Sequence, residues 1–195
     1  MNPVTFLQLL GNTTFDVIAF LQTYMTGGWY GKEMYSLGLV TFSQNASIQL
    51  LLGQCSTGIA CNGNADDFFT AYMEATTTGL GNNVSYALEV AYTLFDVHPE
   101  NRIYAPNLCI LLTTSPPDNK SEAIEAAATL KSNGVTIMTI AVGSQVTRED
   151  VAELASNDNI VFTTGDGSSR HPDEDTQQNA STVVNQVIDS IKFCK

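Results

Sequence analysis

Apolar positions along the chain fall into two rhythms, unbroken runs of strand length and runs spaced three and four apart, and the two alternate. Val4 to Leu10 reads as a short buried strand; after Gly11, Asn12, Thr13 and Thr14 are N-cap candidates for a helix to about Met25 with Phe15, Ile18 and Leu21 on one face. Gly27 and Gly28 end it. Tyr35 to Phe42 (YSLGLVTF) predicts a second strand, and a turn at Gln44 and Asn45 returns the chain through Ile48, Leu50, Leu51 and Leu52 as its antiparallel neighbour. A helix is expected from about Asp66 to Ala75, its two leading aspartates placed where the helix dipole favours negative charge. Gly79, Gly81, Asn82 and Asn83 mark a loop before the helix Ser85 to Phe95, whose Ala87, Leu88, Ala91 and Leu94 follow helical spacing.

The second half repeats the alternation more plainly. Asn107 to Thr113 (NLCILLT) and Val135 to Val142 (VTIMTIAV) are apolar without alternation, the pattern of strands covered on both faces. Between them Ser121 to Leu130 (SEAIEAAATL) predicts a helix that Gly134 stops. Thr147 caps a helix REDVAELAS, with Asp150 completing an acidic variant of the capping box. Ile160 to Thr163 is a last short strand, Gly165 to Asp175 an acidic surface loop, and Ser181 to Phe193 a closing amphipathic helix. This order predicts one α/β domain over residues 1–195: a doubly wound, mostly parallel sheet with one antiparallel edge strand and helices on both faces. Ligands of such sheets bind beyond the carboxyl ends of the strands, which singles out the loops Gly11 to Thr14, Leu80 to Val84, Thr113 to Asp118 and Gly143 to Val146.

Charge narrows the partners. With 20 Asp and Glu against 8 Lys and Arg, the net charge of −12 repels phosphate backbones and anionic membrane surfaces, so nucleic acid is not an expected partner. No uncharged apolar stretch reaches the 18 residues of a membrane span. Met1 to Leu10 lacks the basic stretch and small-residue cleavage site of a signal peptide, so either a signal has been removed or Met1 is not native. Two features still point to an extracellular protein. Asn12, Asn45, Asn83, Asn119 and Asn179 all begin Asn-x-Ser/Thr glycosylation sequons, Asn45 being the most exposed by its place in a turn. Four cysteines allow two disulfides: Cys55 and Cys61 bracket a five-residue loop with Gly58, short enough to bring their Cα atoms within the roughly 4.4 to 6.8 Å a bridge needs. Cys109 either bridges to Cys194 or stays a buried thiol, leaving Cys194 for a cysteine upstream of Met1.

Catalytic signatures are missing. The turn after the first strand carries one glycine where a dinucleotide fingerprint needs three, and no Walker lysine follows, so no nucleotide cofactor is expected. His98 and His171 both sit beside Pro in polar loops, no nucleophile elbow or HExxH is present, and Asp173, Glu174 and Asp175 lack the spaced oxygens of a calcium loop. The chain is not expected to be an enzyme.

The succession SLGLVTFSQNASIQLLL, YALEVAYTLF, NLCILLTTSPPDN, LKSNGVTIMTIAVG and VAELAS resembles the von Willebrand factor type A domain over nearly the whole chain, from Val4 to Phe193. The resemblance implies a Rossmann-like fold and an extracellular adhesion or matrix-binding role. Many members of that family hold a divalent cation at a metal-ion-dependent adhesion site built from Asp-x-Ser-x-Ser after the first strand, a Thr in a second loop and an Asp after the fourth strand. Aligned on Gly11, this sequence places Gln8, Leu10 and Asn12 at the first three positions, with Thr13 beside them. Asn82 and Asn83 stand near the second-loop Thr, and Thr114, followed by Ser115, stands where the Asp belongs. Both family carboxylates are absent, and Asp118 is the nearest replacement, so no metal is expected on this rim. What the resemblance then implies is a secreted module that binds a protein or extracellular-matrix ligand without a divalent metal. The alternative is a structural module that spaces or assembles neighbouring domains of a larger extracellular protein.

Overall fold

Among the described residues six strands form one sheet, in the spatial order Ala46–Leu50, Tyr35–Phe42, Asn2–Leu7, Asn107–Thr113, Val135–Ala141 and Val161–Thr163. The structure, a computed structural model, describes residues 2–7, 35–52, 81–96 and 107–163. Strands β1 (Asn2–Leu7), β2 (Tyr35–Phe42), β4 (Asn107–Thr113), β5 (Val135–Ala141) and β6 (Val161–Thr163) run parallel, and β3 (Ala46–Leu50) pairs antiparallel with β2 at the edge. The doubly wound order is therefore as expected: the chain moves one way from β1 to β2 and the other way from β4 to β5 and β6, so the switch lies between β1 and β4. Strand β1 pairs with β4 from Val4 opposite Leu108 to Leu7 opposite Leu111, which sets the carboxyl ends of the two strands side by side.

Burial explains the unbroken apolar runs. From Leu108 to Thr113 every residue of β4 is buried, so both faces of the strand are covered, and Ile137 to Ala141 of β5 repeat the pattern. In the β2–β3 hairpin the register slips between Leu39 and Val40, which pair with Leu50 and Ile48. Gln49 is thus the extra residue of a bulge, and its amide donates to Thr41 Oγ1 at 2.9 Å.

Helix α1 (Val84–Asp96) buries Val84, Ala87, Leu88, Ala91, Leu94 and Phe95, a stripe at helical spacing, and packs over β2 and β3. Helix α2 (Lys120–Ser132) lies beside α1 and covers β5 through Ala123, Ala127 and Leu130. Asn119 caps its start by accepting from Glu122 N at 3.3 Å, and Gly134, at φ +80°, turns the chain out of it. The helices expected over 12–25, 66–75 and 181–193, the loop 165–175 and the Cys55 to Cys61 loop lie outside the described residues.

One element is shorter than its pattern predicts. Helix α3 spans only Arg148–Val151, where REDVAELAS suggests a helix to Ser156. Its start is as expected, since Thr147 and Asp150 form both halves of the capping box. Its end is set by tertiary structure: Ser156 donates its N–H to Ile137 O and accepts from Ile137 N on its hydroxyl, both at 2.9 Å. The chain leaves the helix to satisfy β5 at Ile137, upstream of where β6 begins to pair. Leu154 and Ala155 stay buried in the resulting turns, and a one-turn 3-10 helix, Asp158–Ile160, leads into β6.

Candidate functional site

Three loops meet at the carboxyl end of the sheet: the β2–β3 turn at 43–45, the segment 81–83 that enters α1, and the segment 113–118 that leaves β4. Asn82 is their centre. It is 2% exposed, and its carboxamide nitrogen lies 2.9 Å from Thr113 Oγ1, 2.7 Å from Ser115 O and 2.9 Å from Pro116 O. Two of these are carbonyl oxygens, which only accept, so the group facing them is the NH2 and not the amide oxygen. Thr113, also 2% exposed, donates its own hydroxyl to Ser115 O at 2.8 Å and so keeps lone pairs for Asn82. The backbone closes the same bridge reciprocally. Asn82 N donates to Asp118 Oδ2 at 2.7 Å, and Asp118 N donates to Asn82 O at 3.0 Å.

Among the described residues, this arrangement leaves Asn82 Oδ1 buried with no hydrogen-bond partner. Orienting the amide toward three oxygens decides that cost, because the reverse orientation would set an acceptor against two carbonyls. Gly81 makes the approach feasible. Its φ is +126°, and a Cβ there would stand 3.0 Å from Asp118 Oδ2.

Asn83 turns the other way. Its side-chain oxygen accepts from Ser85 Oγ at 2.8 Å and Tyr86 N at 3.1 Å, capping α1, while its amide nitrogen donates to Gln44 O at 3.3 Å. Its backbone N–H reaches Ser43 O at 2.8 Å, which ties the hairpin turn to the rim. Of the residues named from sequence, Asn82, Ser115 and Asp118 come together here, and Ser115 takes part through its carbonyl. Asn83 caps the adjoining helix, and half-buried Thr114 follows Thr113 out of β4. Gln8, Leu10, Asn12 and Thr13 lie outside the described residues. Thr113 and Pro116 carry the network too; the sequence marks the loop that holds them, Thr113 to Asp118, but neither as a site residue. The signal for Thr113 was a hydroxyl ending an otherwise apolar strand, where a buried polar group demands a partner.

The described donors do not make a divalent-cation set. Mg²⁺ wants oxygens at about 2.0–2.1 Å and Ca²⁺ at about 2.3–2.6 Å, mostly carboxylates and carbonyls. Here the carbonyls of Ser115 and Pro116 already accept from an amide, and one oxygen of Asp118 is held by a backbone N–H. Among the described residues no three His, Cys, Asp or Glu gather as ligands.

Elsewhere, a groove of about 530 Å³ runs between α1 and α2, with Tyr92 and the carboxylates of Glu89, Glu122 and Glu125 along it. Cys109 sits in β4 as a free thiol, 2% exposed, and burial pushes its pKa up to about 12. Cys194 lies outside the described residues, as do Cys55, Cys61, Asn12 and Asn179. Asn45 is exposed in the hairpin turn, whereas the side chains of Asn83 and Asn119 both cap helices. Among the described residues no helix is long and apolar enough to cross a membrane.

Solved structures share this architecture. Proximal thread matrix protein 1 from the mussel byssus is similar at a TM-score of 0.71 and 20% identity, over 93% of this chain and 45% of that one. A structure of the same mussel protein described with a zinc-occupied MIDAS motif matches at a TM-score of 0.72 and 20% identity, over 94% of this chain and 45% of that one. The manganese-loaded TRAP protein of Plasmodium vivax matches at 0.61 and 21% identity, over 78% of this chain and 62% of that one. This chain therefore spans less than half the length of the mussel protein. No curated protein matches it in sequence. The family model for the von Willebrand factor type A domain matches residues 11–189, and the chain belongs to that family.

Proposed function

We propose that this chain is a secreted adhesion module that binds a protein or extracellular-matrix ligand without a divalent metal, and that it is not an enzyme. Membership of the type A family carries the general role, a protein-interaction module. The observation that favours metal independence is the cage around Asn82, where oxygens that would otherwise serve a cation are already accepting hydrogen bonds. Secretion draws support from the sequons, of which Asn45 offers an exposed side chain in a hairpin turn.

Binding to immobilised matrix proteins, measured with and without chelator, tests the reading. The expected outcome is saturable binding that chelator leaves unchanged. Binding abolished by chelator would overturn metal independence. Silence across a broad panel would favour a structural spacer, a role that the likeness to a mussel thread matrix protein also suits. Mass spectrometry of protein made in a secretory host should find glycan on Asn45, and an unmodified set of five sequons would remove the main support for secretion.

A further inference from the structure

We infer that the Asn82 carboxamide is a built-in substitute for a cation: its NH2 group, tethered among Thr113 Oγ1, Ser115 O and Pro116 O, locks the loop 81–83 to the loop 113–118 together with Asp118. The inference rests on the metal-independent reading of this rim and names the chemistry that replaces the ion. A bound cation in such a place would cross-link loops distant in sequence by gathering their oxygens. The Asn82 side chain does the same with hydrogen, joining residues 31 to 34 positions away, and Asp118 adds a bond across 36. All distances, 2.7–2.9 Å, are those of N–H···O bonds and exceed those of Mg²⁺ or Ca²⁺ to oxygen.

Three further observations fit a lock and not a ligand pocket awaiting an ion. Asn82 and Thr113 are each 2% exposed, so the bond between them forms away from solvent competition. The amide keeps its orientation although Oδ1 has no partner among the described residues, as a group held by its nitrogen would. Asp118 is turned onto the Asn82 backbone through space that only a glycine at position 81 leaves open. The loops 43–45, 81–83 and 113–118 contain no Lys or Arg, so a neutral amide also avoids importing a charge. Lys120, two residues beyond Asp118, is spent on Glu153 at 2.9 Å and Glu149 O at 2.9 Å. The rim is thus fixed before any ligand arrives, and chelation has nothing to release.

Three variants separate a lock from an ion site without using any binding partner, so the result stands apart from the adhesion reading. Asn82→Ala empties the cage, Asp118→Ala removes the acceptor, and Asp118→Asn keeps an oxygen acceptor while removing the charge that a cation needs. Thermal melting is recorded in chelator and in millimolar Mg²⁺ or Mn²⁺, and amide hydrogen exchange is followed at Asn82. Asn82→Ala should lower Tm by about 5–10 °C, the scale expected when buried acceptors lose their donor in a chain of this size. Exchange at the Asn82 N–H should quicken about tenfold in Asp118→Ala and stay near wild type in Asp118→Asn, with no change on chelation in either protein. If Asn82→Ala does not fold, the two Asp118 variants decide alone. Wild-type melting that rises with Mg²⁺ beyond an ionic-strength control, with Asp118→Asn behaving like Asp118→Ala, would show a cation site and overturn the inference. So would Asn82→Ala melting with the wild type.

Discussion

Two polar loops leave buried parallel strands at the same end of the sheet, the rim segment 113–118 after β4 and the segment that enters α3 after β5, yet they use similar side chains in opposite ways. On the rim, Asn82 and Asp118 bridge segments 31 to 36 residues apart, and the amide at the centre is buried. Before α3, Thr147 and Asp150 bond each other across three residues, at the surface. The first device fixes tertiary structure and the second fixes a helix start. Losing the bond between Asn82 and Thr113 strands buried polar groups, whereas a bond removed from the box is replaced by water. Position, more than bond type, therefore decides how much each contributes.

Glycines give the sharpest way to break this contrast. Gly81→Ala meets both a backbone at φ +126° and the carboxylate of Asp118 at 3.0 Å, so it should cost about 2–3 kcal/mol and loosen the rim. Gly143→Ala, in the loop after β5, also demands positive φ, at +87°, but its Cβ would meet nothing within 4 Å. It should cost only about 1 kcal/mol, the strain of an L-residue in that region. Urea denaturation of the pair measures the difference. Equal losses would mean that Asp118 is not held against Gly81.

Ser156 tests the tertiary contact that ends α3. Ser156→Ala removes the hydroxyl that accepts from Ile137 N in a strand buried around that residue, and should destabilise by about 1 kcal/mol. Exchange at the Ile137 amide should rise in the same variant. If the amide stays protected, another acceptor serves β5 there, and the early end of α3 needs a different cause.

The rim and the box also differ in how much of each the sequence discloses. Runs such as NLCILLT and VTIMTIAV announce strands covered on both faces, because burial on two sides removes the need for alternation. The capping box is equally plain, since both partners stand within four residues. The rim network is not, because nothing local tells that Asn82 will face Thr113 and two carbonyls from beyond β4. Sequence spacing placed Asn82, Ser115 and Asp118 near the same end of the sheet, but the bonds depend on the switch between β1 and β4 and on the freedom of Gly81. The length of α3 was hidden for the same reason. VAELAS has helical spacing, and only the edge of β5 that β6 does not reach, at Ile137, explains why the chain abandons it.

The smallest effect expected lies in the box, and its sign follows from the bonds. Asp150 Oδ2 accepts from Thr147 N and Thr147 Oγ1, each at 2.8 Å, and these bonds, helped slightly by Lys120, hold its carboxyl below the ordinary Asp value despite a small opposing cost of burial. A depressed carboxyl stabilises the fold where it is ionised, so the contribution is complete above the pKa it has when unfolded and is lost as pH falls through its folded value. Because these bonds lie at the surface, the loss is shallow, and a carboxyl-detected NMR titration will resolve it better than melting. Asp150 should titrate below an ordinary aspartate, and Thr147→Ala, which removes the hydroxyl donor, should move its midpoint part of the way back up. An Asp150 midpoint at the ordinary value in the wild type would mean that the box does not persist in solution, and the helix start would then rest on the buried Val151 alone.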